Sequence, residues 1–151
     1  MKNLTLPEKI EMIVKTYKKQ ISAKLTSYYQ QDVNRGRITY NDKYDCYTGK
    51  ELTLEQFSNI LLKNKSTRCY YCEEATYLDN KVKLGSRQLT LDRIDNMEAH
   101  TESNCLICCW RCNKNRGNKY TVEQYKKIVD KTKLRPCAIR EFVVPTNPHK
   151  V

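Results

Sequence analysis

Residues 88–116 read QLTLDRIDNMEAHTESNCLICCWRCNKNR, and this stretch decides the fold. It predicts a strand, a polar hairpin, a second strand and then a short helix that opens on Cys109-x-x-Cys112-Asn113. Upstream, Cys69-Tyr-Tyr-Cys72 supplies a second Cys-x-x-Cys. Such a knuckle delivers two thiolates from one tight turn, and two knuckles make the four soft ligands of a structural zinc site. Both Cys105-x-x-Cys108 and Cys109-x-x-Cys112 have the spacing of the second knuckle. A helix starting at Trp110 favours Cys109 and Cys112, because its first turn would present that pair. Cys105 and Cys108 would then pack as strand residues.

The eight cysteines stand at positions 46, 69, 72, 105, 108, 109, 112 and 137. No apolar run approaches the roughly 18 residues of a membrane span. The start MKNLTLPEKIEMIVK alternates charge too often for a signal peptide. The expected setting is therefore an intracellular, reducing compartment, cytoplasmic or nuclear, with no membrane partner. There, paired cysteine spacings point to metal rather than disulfides. Cys46 stands alone and is expected to be a buried small hydrophobe.

Outward from the centre, three capping boxes mark helix starts: Thr5-Leu-Pro-Glu8, Thr53-Leu-Glu-Gln56 and Thr121-Val-Glu-Gln124. After the first, Ile10, Ile13, Val14, Tyr17, Ile21, Leu25 and Tyr28 recur at the spacing of one helical face. One long amphipathic helix ending near Arg35-Gly36 follows, with Lys9, Lys15, Lys18, Lys19 and Lys24 on its other face. The second box opens a helix with Leu54, Phe57, Ile60 and Leu61 inward. The third opens one with Val122, Tyr125, Ile128 and Val129 inward and lysines outward. Residues 37–52 read as loop and short extended pieces with a turn at Thr48-Gly49. After Lys133 the chain is expected to be extended, with Pro136, Pro145 and Pro148, and disordered from Thr146 to Val151.

The fold class expected is α+β, a metal-pinned hairpin and helix flanked by amphipathic helices. At 151 residues the chain suits one domain with a small core. Its parts are an N-terminal helical region at 1–65, a zinc-stabilised centre at 66–120, and a C-terminal helix and tail at 121–151. The net charge of +11 is unevenly spread: +5 over residues 1–37, −2 over 38–104 and +8 over 105–140. Two basic segments around a slightly acidic centre suit a protein that grips a polyanion beside a cation site.

Asp92, Asn104, Cys109, Cys112 and Asn113 form an array that resembles the HNH nuclease superfamily, the ββα-metal finger, in its zinc-bearing branches. The match runs over about residues 66–120: Leu91-Asp-Arg, His100-Thr-x-x-Asn104, then five residues on Cys109-x-x-Cys112-Asn113. The resemblance implies a metal-dependent DNA endonuclease. Asp92 and Asn113 would hold a catalytic Mg²⁺ or Mn²⁺, Asn104 would close the hairpin and orient the base, and Cys69, Cys72, Cys109 and Cys112 would hold a structural Zn²⁺. Lys114, Arg116 and Lys119 would contact DNA, and a homodimer is compatible with the family.

At the family's general-base histidine this chain has Arg93, a permanent cation that cannot accept a proton. Three readings stay open. His100 acts as base; Arg93 binds the scissile phosphate while water is activated otherwise, as in Asp-Arg variants of the superfamily; or the finger binds DNA without cutting it. Outside this class stands a zinc-stabilised protein-interaction module with basic faces for an acidic partner.

Overall fold

The computed structural model describes residues 3–79 and 85–132. Cys137, the three late prolines and the segment from Thr146 lie outside them. Among the described residues no helix is long and apolar enough to cross a membrane.

The architecture mixes helices and two small antiparallel hairpins in the order α1 (Leu6–Thr16), α2 (Lys18–Asn34), β1 (Tyr40–Asn41), β2 (Cys46–Tyr47), α3 (Leu54–Asn64), β3 (Leu89–Arg93), β4 (Cys105–Cys109), α4 (Trp110–Arg116) and α5 (Val122–Thr132). The α+β class expected from the sequence is what the chain adopts. Reciprocal capping boxes open α1 at Thr5 and Glu8 and α3 at Thr53 and Gln56. At α5, Thr121 N–H donates to Gln124 Oε1 at 3.0 Å and Gln124 N–H to Thr121 Oγ1 at 3.1 Å. Each box satisfies amides that the first helical turn leaves without intrahelical acceptors.

The long N-terminal helix expected to reach Arg35 is instead two helices meeting at Tyr17. Thr16 Oγ1 donates back to the Met12 carbonyl at 2.8 Å, a bond that bends helices. The bend lets Ile10 and Ile13 of α1 and Ile21 and Leu25 of α2 enter one core together. Three details of side-chain placement also differ from expectation. Ile128 is 38% exposed, because the inward stripe of α5 is carried by Tyr125 and Val129. Lys126 of that helix points inward, donating to the carbonyls of Tyr70 and Tyr71 at 3.1 and 3.0 Å. Cys46 is exposed on the short β1–β2 hairpin.

In β3 the register Leu89↔Cys109, Leu91↔Ile107 and Arg93↔Cys105 holds the strand against β4. Leu89 and Leu91 alternate into a core with Ile10, Ile13, Ile21, Leu25, Phe57, Ile60, Leu61 and Ile107. The N-terminal helices and the central hairpin therefore share one core across the expected 65/66 boundary. Thr90 and Asp92 alternate to the opposite side, towards α4: Thr90 Oγ1 accepts from Asn113 and Asp92 from Arg116.

Candidate functional site: a thiol cluster beside a cationic cleft

Cys69 and Cys72 occupy a turn held by Glu73 N–H donating to the Cys69 carbonyl at 2.9 Å, with Glu73 itself at φ 60°. Cys109 ends β4 and caps α4, its sulfur accepting from Cys112 N–H at 3.4 Å. All four thiols are buried and their sulfurs lie within 4.8 Å of one another. Cys72 and Cys109 Sγ are 3.9 Å apart, near the separation of about 3.8 Å that follows from four sulfurs each ~2.3 Å from one tetrahedral zinc. The quartet can hold a metal ion such as zinc.

Of the two spacings open in the sequence, the fold gathers Cys109 and Cys112. Cys105 is buried in the helix-side core. Cys108 lies 4.0 Å from Cys69, its thiol donating to the Cys109 carbonyl at 3.1 Å. The thiols titrate as a group. Contact with Cys108 chiefly lowers both Cys69 and Cys109 to about 3, and contact with Cys109 lowers Cys72 to about 7. Contact with Cys109 pushes Cys112 far up. Four thiolates this close repel each other, and a cation among them removes that cost.

Alongside β3 is a cleft of about 270 Å³ whose lining includes Thr90, Asp92 and Arg93 of β3, His100 of the connecting loop, Asn113 and Lys114 of α4, and Tyr28 and Arg35 from the end of α2. Asp92 is buried. Its Oδ2 accepts from Tyr71 OH at 2.5 Å, and Arg116 Nη1 donates to Oδ1 at 3.0 Å and Oδ2 at 2.9 Å. Burial raises its pKa, against Tyr71 and Arg116, which favour the ionised form. Asn113 donates from Nδ2 to Thr90 Oγ1 at 3.1 Å, fixing the plane of its amide.

Asn104 closes the β3–β4 loop from both ends of its side chain. Its Oδ1 accepts from Asp95 N–H at 2.8 Å, and its Nδ2 donates to the carbonyls of Asp95 and Ala99 at 3.1 and 3.0 Å. Arg93, half-buried at the cleft wall, donates from Nη1 to the carbonyls of Asn96 and Glu98 at 2.5 and 3.1 Å. Its pKa is lowered, chiefly by burial and then by repulsion from Arg37. His100 is buried, with Nδ1 2.9 Å from Asp32 Oδ2 and its ring stacked on Tyr28 with centroids 4.6 Å apart.

The three basic residues expected at DNA do not share one environment. Lys114 is exposed, its ammonium over the Trp110 ring at 4.9 Å, and Lys119 is exposed beyond the helix end. Arg116 is corrected by the fold: it is buried and turned inward. Besides Asp92 it donates to the carbonyls of Arg93 at 2.6 Å, Ile94 at 2.9 Å and Tyr120 at 3.0 Å. A guanidinium so committed binds the protein, and it is not a phosphate contact.

Sequence reasoning missed Asp32, Tyr71 and Arg35. Asp32 had a signal, since it continues the inward row Ile21, Leu25, Tyr28 at the next i+4 step. Arg116 had one too, lying on the face of Cys109, Cys112 and Asn113. Tyr71 and Arg35 had none, because only the folded chain places them.

No protein-family model, curated protein or solved structure matches the chain.

Proposed function

We propose that this chain is a metal-dependent DNA endonuclease of HNH type, a zinc-pinned ββα-metal finger that hydrolyses phosphodiester bonds in the cleft beside β3. The observation that carries this reading is that Asp92, Arg93, His100 and Asn113, scattered over 22 positions, line the same cleft. A binding module has no need to converge a carboxylate, an amide, an imidazole and a guanidinium on one concavity.

The donor set suits a hard divalent ion, with a carboxylate oxygen from Asp92 and a carbonyl oxygen from Asn113. Arg116 and Tyr71 take three of the roughly four acceptor positions of the Asp92 carboxylate and leave one, on Oδ1. Hydrogen bonds of this kind commonly fix the orientation of a ligating carboxylate. When bound there, a Mg²⁺ or Mn²⁺ ion neutralises charge on the phosphate and on the leaving oxygen.

The rest is the work of side chains. Arg93, with Arg35 and Lys114 at the rim, binds the phosphate and fixes its position, contacts that confer affinity and salt dependence without reading bases. His100 accepts the proton of the attacking water at Nε2, since Nδ1 already faces Asp32. Cys69, Cys72, Cys109 and Cys112 would hold a zinc ion with four thiolates, which would tie β4 and α4 to the Cys69–Cys72 turn rather than take part in the chemistry.

The test is nicking of supercoiled plasmid by the zinc-loaded protein with Mg²⁺ or Mn²⁺, with EDTA as control. The expected result is ion-dependent nicking that falls at least about 10²-fold in Asn113→Ala while DNA binding stays within a few-fold. Equal nicking by the variant removes the catalytic assignment. One observation favours a second reading, a zinc-bearing nucleic-acid binder that does not cut: most of the acceptor capacity of the Asp92 carboxylate is already taken by Arg116 and Tyr71. That reading predicts salt-sensitive binding with no nicking under any divalent ion.

A further inference from the structure

Asp32 sits in the last turn of α2, 68 residues before His100 and outside the segment that carries the nuclease resemblance. Its position is unfavourable on its own terms. It is 1% exposed, and a carboxylate near a helix C-terminus faces the negative end of the macrodipole. It is stabilised by contacts with the loop between β3 and β4. Asp32 Oδ2 accepts from the His100 backbone N–H at 2.9 Å and lies 2.9 Å from His100 Nδ1, while Arg37 Nη1 approaches Oδ1 at 3.4 Å. Tyr28, one helical turn earlier, stacks on the imidazole, and its hydroxyl accepts from Leu91 N–H at 3.2 Å. The ring is thus held by its backbone, its Nδ1 edge and its face, and it lines the cleft that contains Arg93 and Asn113.

We infer that Asp32 is the positioning residue of the site: it fixes the His100 ring with the proton on Nδ1, so that Nε2 presents a lone pair to the cleft, and it stabilises the imidazolium formed when Nε2 takes a proton. This deepens the endonuclease reading and rests on it. A carboxylate behind a histidine base is a general device for fixing tautomer and orientation. Here the carboxylate comes from the N-terminal helix, which makes α2 part of the catalytic unit.

The charges facing His100 are Asp32 from α2, Arg37 from the segment after it and Arg93 from β3. Asp32 favours the protonated ring, whereas both arginines and burial oppose it, and burial is the largest influence. Removing the Asp32 charge while keeping its shape therefore lowers the protonation midpoint of His100.

The experiment compares wild type with Asp32→Asn, which retains an oxygen to accept the His100 amide. Plasmid nicking is measured as kcat and KM across pH 5 to 9, and nitrogen-15 NMR of the imidazoles reads tautomer and titration. His149 is the only other histidine, and His149→Gln assigns the signals. The expected results are an Nδ1–H tautomer in the wild type and, in Asp32→Asn, kcat lower by on the order of 10²-fold with KM unchanged. The acid limb of the pH profile and the NMR midpoint of the variant both move to lower pH. An Nε2–H tautomer in the wild type overturns the inference, and so does a folded variant with the wild-type profile. Should the variant not fold, the wild-type tautomer decides. A wild type that binds DNA but cuts none at any pH removes the endonuclease reading together with this role. A cutting variant with unchanged kcat and pH profile removes only the role of Asp32.

Discussion

At the scale of single residues, the most consequential side chain after the cysteines is Arg116. It bridges α4 to the end of β3 through four hydrogen bonds, two to the Asp92 carboxylate and two to the carbonyls of Arg93 and Ile94, and a fifth goes to the Tyr120 carbonyl after the helix. Breaking a buried ion pair by removing one partner leaves an uncompensated charge, at a cost of about 3 to 5 kcal/mol. Arg116→Met is expected to lower the unfolding free energy by that amount in urea titration. Arg116→Lys recovers little of it, because an ammonium cannot span the carboxylate and the carbonyls at once. A variant as stable as wild type would show that the bridge contributes nothing net. The sequence disclosed Arg116 as a basic residue near the motif. Its inward direction follows from its place seven residues after Cys109 on the helix, which brings it back to the buried face of α4.

At the scale of elements, the hairpin β3–β4 followed by α4 is the unit to which both sites belong. Alternation along β3 sends Leu89 and Leu91 to the helical core and Thr90 and Asp92 to the other side. Along β4 the final residue becomes the cap of α4, and that is how Cys109 and Cys112 meet Cys69 and Cys72. Substituting Cys72→Ser or Cys112→Ser is expected to reduce zinc below one ion per chain by elemental analysis. The double variant Cys105→Ser/Cys108→Ser keeps the ion but loses stability, since both side chains are buried, Cys105 in the helical core and Cys108 beside Cys69. Zinc loss in the double variant, with retention in Cys112→Ser, would reverse the assignment. This strand–hairpin–strand–helix order was legible in residues 88–116 because period-2 alternation, polar loop residues and a Cys-x-x-Cys knuckle are local signals. The break at Tyr17 was not, since the inward stripe runs through it unbroken and only the shape of the core requires the bend.

At the scale of the whole molecule, the described residues form two cores, one on either side of the hairpin. One combines α1, α2 and α3 with Leu89, Leu91, Cys105 and Ile107; the other gathers the cysteine quartet with Tyr71, Tyr125 and Val129. The central segment has a buried face on each side and cannot satisfy both alone. A fragment of residues 66–132 is therefore expected to lack a cooperative thermal transition even with zinc, because removal of α1–α3 exposes the apolar face of β3 and β4. A sharp transition in that fragment would show that the metal and α5 suffice.

The sequence by itself determined the element types, the three capping boxes, the thiol knuckles and the candidates Asp92, Arg93, His100 and Asn113 that now line the cleft. Those follow from near-neighbour chemistry, from spacing along the chain and from the rarity of such residue types in such patterns. Only the tertiary structure decided which cysteine pair completes the quartet, that Arg116 belongs to Asp92 rather than to solvent, and that Asp32 stands behind His100. Each of these is a pairing between partners 24 to 68 residues apart, or a choice between equal spacings. Such pairings are fixed by which faces the packed helices and the hairpin turn towards each other, and a linear pattern carries the faces but not their mutual orientation.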